Sequence, residues 1–168
     1  MTLFRSLAAA LLLMFVAATP AHAQAQETKV GDWSIFSNEN NCSALATFGQ
    51  GTTVYVSYSR ADDRASLMFM DNKVFAGAKD GAPFEAQLAF VAGESLDDKW
   101  MTLPIVGVVL EGGSTGVLIR APGDALLKSM SAAQIFGLLR GTEAVISVKT
   151  GDITPVVSAL RACAAKLK

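Results

Sequence analysis

The chain has 168 residues, 51% of them hydrophobic and 17% charged, with 14 Lys and Arg against 15 Asp and Glu for a net charge of −1. That length is one ordinary domain with room for a real core, and the charge balance provides neither the basic stripe that nucleic acid requires nor a polybasic membrane patch. The single histidine, His22, lies in the leader described next, so residues 24–168 offer no Ser-His-Asp or Cys-His catalysis and no histidine-ligated zinc or copper, and no cofactor is expected.

Arg5 supplies a positive n-region, residues 7–18 an apolar h-region and Ala21-His22-Ala23 an A-x-A cleavage site, which makes residues 1–23 a cleaved signal peptide. The apolar run is about twelve residues, short of the roughly 20 that span a bilayer, and no later stretch approaches that length. No transmembrane segment is expected in the mature chain. Gln24, not Cys, follows the cut, which argues against a lipid anchor. Residues 24–168 therefore read as one periplasmic or secreted β-rich domain.

Residues 30–36 open it as a strand with Trp33 and Ile35 on one face. A turn cluster at 38–41 leads to a second strand, 42–48, and Gly49-Gln50-Gly51 turns the chain. Residues 52–59 alternate cleanly, Val54, Val56 and Tyr58 inward against Tyr55, Ser57 and Ser59. After a charged tip at 61–64, residues 66–70 are apolar on both faces, Leu67 and Phe69 against Met68 and Met70, the pattern of a central strand covered by helices. Residues 84–90 alternate Phe84, Ala86, Leu88 and Phe90 against Glu85, Gln87 and Ala89, and 93–99 form an acidic loop. Pro104 interrupts the apolar run 100–110, which predicts an edge, a bulge or a break there. Residues 111–116 are a hairpin loop, and 117–121 the returning strand.

From Pro122 the period changes to 3.6. Asp124 is placed to cap a short helix carrying Leu126, Leu127 and Met130. Ser131 and Gln134 match a capping box for a second helix, with Ala132, Ile135, Phe136 and Leu139 on one stripe and Gly141 at its end. A last strand covers 144–149. In the final helix Thr154 is the expected N-cap, Pro155 suits the first position, and Val156, Leu160, Cys163 and Leu167 form one stripe. The predicted fold is α+β, mainly β: an antiparallel curled sheet or two-layer sandwich of about eight strands, with two or three helices in the C-terminal third. In an exported chain the two cysteines, Cys42 and Cys163, read as a disulfide that staples the last helix to the first strands.

The leader, the Gly31-Asp32-Trp33 opening, the cysteine soon after it at Cys42 and the small-residue ending 157–163 resemble the invasion-associated locus B (IalB) group of exported bacterial proteins. The chain differs from that group in having Phe36-Ser37 where the group carries a cysteine, and in lacking an internal cysteine pair. The resemblance implies a non-enzymatic envelope protein tied to host interaction or stress survival.

The residues themselves offer few reaction centres. Asp62-Asp63 and Glu94, Asp97 and Asp98 are the carboxylate clusters able to meet, yet each sits in a loop with its own counter-charge, Arg60 and Arg64 in one and Lys99 in the other. Ser129 beside Lys128 reads as a helix-capping serine, Ser158 and Lys166 as chance neighbours about 12 Å apart on a helix, and Gly112 to Gly116 as a hairpin without the P-loop lysine. Trp33, Met68, Met70 and Trp100 are the candidate binding surface, on condition that one face of the 66–70 strand is uncovered. The expected function is a non-catalytic periplasmic or secreted protein that binds a protein or envelope component. Its alternatives are a carrier of a small apolar ligand inside the curled sheet and a carboxylate-dependent hydrolase.

Overall fold

A computed structural model of the chain describes residues 27–49 and 51–167; the signal-peptide reading of residues 1–23 lies outside them. The fold is mainly β, with two antiparallel sheets and two α-helices. The first sheet holds seven strands, β1 (Thr28–Val30), β2 (Trp33–Ser37), β3 (Cys42–Phe48), β4 (Thr52–Ser59), β5 (Arg64–Met70), β8 (Ile105–Val109) and β9 (Thr115–Pro122). Their order is β1-β2-β3-β4-β5-β9-β8. The second sheet, ordered β11-β10-β6-β7, contains β6 (Gln87–Ala92), β7 (Ser95–Asp97), β10 (Ile135–Arg140) and β11 (Glu143–Lys149). Helices α1 (Gly123–Ala132) and α2 (Thr154–Ala164) complete the set.

Strand alternation divides the large sheet into two unlike faces. Cys42, Ala44, Ala46, Val54, Val56, Leu67, Phe69, Val117 and Ile119 point inward and are buried. Against them lie α2, α1 and the small sheet, side by side as one layer. Phe69 meets Phe136 of β10 with ring centroids 5.9 Å apart, and Phe136 meets Phe90 of β6 at 5.8 Å. The space between the layers is thus filled by side chains.

The segment expected to be a second helix is strand β10. Ile135 and Leu139 fit a helical stripe, but Phe136 and Leu138 are the buried pair, and they alternate with period two. Gly137 sits where a Cβ would run into the Ile146 carbonyl of β11, so glycine here serves close strand packing. Gly141, at φ 61°, opens the two-residue hairpin loop between Arg140 and Glu143. Ser131 is not a cap; it lies in the last turn of α1 and its hydroxyl donates to the Leu127 carbonyl at 2.9 Å. Asp124 is likewise inside the first turn of α1, not its cap. Thr154 begins α2 with Ile153 as N-cap, and the Asp152 carboxylate accepts the Thr154 N–H at 2.9 Å.

The 84–90 strand is split. Residues 81–84 run along β8, with Phe84 N–H donating to Ile105 O at 2.8 Å. A tight turn, Ala86 N–H to Phe84 O at 3.0 Å, then swings the chain into the other sheet. Pro104 ends a loop just before β8, where its missing donor interrupts no ladder. The expected staple is present: Cys42 of β3 is bonded to Cys163 near the end of α2, with Cα atoms 6.0 Å apart.

Candidate binding face on the large sheet

The outward face of the seven-stranded sheet carries no other element among the described residues. The 66–70 strand is central, lying between β4 and β9, but it is covered on one face only, so its second apolar set looks out. Met68 and Met70 are half-buried there and are not members of the core. Trp33 and Trp100, grouped with them from sequence, are 4% exposed and belong to the interior. Period two puts Trp33 on the inward face with Ile35, and Trp100 packs edge-on to Phe90 at 6.1 Å.

Register aligns the outward side chains into rows across the strands. Leu45 opposes Tyr55, Tyr55 opposes Met68, Met68 opposes Leu118, and Leu118 opposes Val106. Five strands in succession therefore contribute one apolar or aromatic residue each. Met70 and Val108 lie one row further, on either side of Gly116. On the other flank runs a hydroxyl row, Ser43, Ser57 and Ser66, ending at Arg120. All members of the apolar row are half-buried by their own neighbours.

The face is held in shape by its edges. The Tyr55 hydroxyl and the Ser43 hydroxyl share a 2.7 Å hydrogen bond, and Ser43 donates to Asn41 Oδ1 at 3.2 Å, which fixes the phenol against the β2–β3 turn. At the far end, the Asp71 carboxylate accepts from the Val74 and Lys73 N–H groups and from the Thr52 hydroxyl. These donors, the Val74 N–H foremost, hold its carboxyl below the ordinary range. Beside it Gly51, Thr53, Met70, Asn72, Lys73 and Ser114 line an open hollow of about 320 Å³.

The carboxylate clusters are engaged elsewhere. Asp62 pairs with Arg64 at 3.6 Å, and Asp63, at φ 47°, accepts the Asp124 N–H at the start of α1. Burial, with the charges of Asp124 and Asp63, pushes the neighbouring Tyr58 phenol up. Asp97 accepts from the Ser129 hydroxyl at 2.9 Å and from the Trp100 indole at 3.2 Å, and pairs with Lys99 at 3.0 Å. Burial works against its charge, but the Lys99 and Ser129 hydrogen bonds and the Lys99 charge outweigh it and leave its carboxyl below the usual range. An aspartate so held is a poor base, and the Ser129 proton is spent on it. The two clusters sit at opposite ends of α1, each serving the fold.

Sequence reading missed Leu45, Leu118, Val106 and Arg120. The outward position of Tyr55 was in the 52–59 alternation, and the same alternation in 117–121 places Leu118 and Arg120 together on one face. Comparison of the chain with protein-family models, curated proteins and solved structures returns no match.

Proposed function

We propose that this is a non-catalytic periplasmic or secreted binding protein whose working surface is the outward face of the seven-stranded sheet, with a protein of the cell envelope as partner. The observation that carries this is the in-register row Leu45, Tyr55, Met68, Leu118 and Val106 on a face that no described element covers. An antiparallel sheet with one solvated face normally alternates apolar-in and polar-out; here the outward side repeats the apolar choice strand after strand. The members are only half-buried, and apolar side chains left uncovered in a contiguous row are the kind of surface that serves interaction. The disulfide, which ties α2 to the opposite face, supports the same reading by keeping the sheet rigid behind its contact surface. No helix among the described residues is long and apolar enough to cross a membrane. The reading is independent of the resemblance to the IalB group.

The carrier alternative has less to rest on. Phe69, Phe90, Phe136, Leu67, Leu126 and Leu127 occupy the space between the layers, so an internal ligand would have to displace packed side chains.

The test is affinity capture from an envelope fraction with the wild-type protein and with Met68→Lys/Leu118→Lys. The expected result is a partner held by the wild type and lost by the double variant at unchanged melting temperature. Equal capture by both would contradict the assignment.

A further inference from the structure

The two halves of the disulfide stand in unlike surroundings. Cys42 belongs to β3, on the sheet face that α2 covers, and is 0% exposed. Its cross-strand neighbours are Ser37 of β2 and Tyr58 of β4, and it is a member of the apolar core. Cys163 lies in the last turn of α2, one residue before the helix end at Ala164, and is half-buried. It lines an open hollow of about 300 Å³ between α2 and the β1–β2 hairpin. Thr28, Ile35, Ser37, Ala159, Ala162 and Lys166 form the rest of the wall.

Thiol–disulfide exchange requires the attacking sulfur to touch the attacked one, so access decides which of two cysteines reacts. In the dithiol form of this fold a molecule arriving from solvent meets Cys163 and not Cys42. The hollow is at the low end of the size of small-molecule sites. A sulfur that lines such a recess is open to a small peptide thiol, whereas the sulfur of a folded oxidoreductase carries a whole protein surface with it. Cys42 has the other half of the chemistry. It stands within bonding distance of Cys163, since the two are joined in the oxidised fold, but it must ionise in apolar surroundings, which oppose the thiolate.

We propose that the folded dithiol form is modified at Cys163 by a small disulfide of the glutathione class, with Cys42 as the resolving thiol. In the first step the Cys163 thiolate attacks one sulfur of the small disulfide. A Cys163–glutathione bond forms, the small disulfide bond breaks, and one glutathione leaves as a thiolate that takes up a proton. In the second step Cys42 gives up its proton and attacks Cys163 Sγ. The Cys42–Cys163 bond forms and the second glutathione leaves with the electron pair. The two protein thiols are thereby oxidised by two electrons and the small disulfide is reduced to two thiols. The second step is the slow one because it needs the buried Cys42 thiolate, so the adduct on Cys163 accumulates before the bridge closes. Such an adduct is a reversible cap on the cysteine. This inference does not depend on the outward sheet face, which lies on the other side of the sheet from α2.

The test treats reduced wild type, Cys42→Ser and Cys163→Ser with glutathione disulfide, traps free thiols with N-ethylmaleimide in acidic denaturant, and locates the adduct by mass spectrometry. The wild type is expected to pass through a glutathione adduct on Cys163 before the bridge appears, and Cys42→Ser to stop at that adduct. Cys163→Ser is expected to react at least about tenfold more slowly, because Cys42 is reached only through local opening, and the two variants should react at one rate in urea. Ala162 is exposed on the wall of the hollow, so Cys42→Ser/Ala162→Phe should keep the melting temperature of Cys42→Ser and take up glutathione more slowly. Thermal melts of the reduced forms are the control, with sucrose added where a form melts early. Adducts on Cys42 first, or equal rates for the two folded variants, overturn the assignment to Cys163. Reaction with a Cys-x-x-Cys oxidoreductase but not with glutathione disulfide overturns the small ligand. A bridge that closes with no trapped adduct overturns the order of the steps. Reduced protein that shows no cooperative melt even in sucrose also overturns the proposal, since no folded dithiol form then exists to be modified.

Discussion

Asp63 caps helix α1 from a distant turn: its carboxylate accepts the Asp124 N–H at 2.8 Å across 61 residues of chain, and its own carbonyl accepts the Gly123 N–H at 2.8 Å. The helix begins without a side-chain cap of its own, so the β4–β5 turn supplies one. Space for this approach comes from Gly123, where a Cβ would stand 2.6 Å from the Tyr58 ring. Asp63→Ala removes both the cap and a residue tolerant of left-handed φ, and should cost about 1–2 kcal/mol. Asp63→Asn, which can still accept, should cost much less. Chemical denaturation of the two variants checks this, and equal losses would argue against a capping role.

Gly137→Ala discriminates between helix and strand by sign. In an exposed helix the change would stabilise by up to about 1 kcal/mol. In β10 the new methyl meets the Ile146 carbonyl and the Ser147 backbone, so stability should fall by about 1–3 kcal/mol. A gain in the denaturation midpoint would contradict the strand.

The staple between Cys42 and Cys163 closes a separation of 121 residues, worth about 4–5 kcal/mol in the chain-entropy model. Cys163→Ser should lower stability by a few kcal/mol, and equal melting of oxidised and reduced protein would contradict it. Cys42 is 0% exposed whereas Cys163 is half-buried. An external thiol therefore reaches Cys163 Sγ and must expel Cys42 as a thiolate into apolar surroundings, a poor leaving group. Dithiothreitol should reduce the native protein far more slowly than the urea-unfolded chain.

Acid should loosen both the Asp71 turn and the Asp97–Ser129 contact. Both carboxyls lie below their ordinary value of 3.8 in the folded state. Their contribution is therefore present above about pH 4 and is lost as pH falls through the lower folded values. Asp71→Asn/Asp97→Asn should flatten the fall of melting temperature below that pH, while an unchanged acid limb would show that other groups control it.

Local pattern carried much of the fold. The alternation of Val54, Val56 and Tyr58, the break at Pro104 and the α2 stripe of Val156, Leu160 and Cys163 follow from near neighbours in sequence, and the Cys42–Cys163 pair from there being two cysteines; the structure contains each of them, with Leu167 beyond the helix end at Ala164. Strand β10 was hidden because Ile135, Phe136 and Leu139 fit a helical stripe, while its period-two pair, Phe136 and Leu138, is too short a run to reveal the alternation; the Gly141-Thr142 hairpin signal was the feature that distinguished them. The Asp63 cap could not be read, since it joins residues 61 apart. The binding face was half legible. Apolar residues on both sides of 66–70 revealed a second apolar surface, but that pattern is the same whether one face or both are covered. The row itself depends on β9 lying beside β5 while β6 and β7 leave for another sheet, a non-local pairing.

The most direct test of the outward face is site-specific photocrosslinking in envelope extract. A photoreactive residue at position 118 is compared with one at 147, which is exposed on the other sheet. The account predicts one discrete adduct from position 118, none from 147, and loss of that adduct when Met68→Lys is added. Equal labelling from both positions, or no adduct from 118, would contradict it.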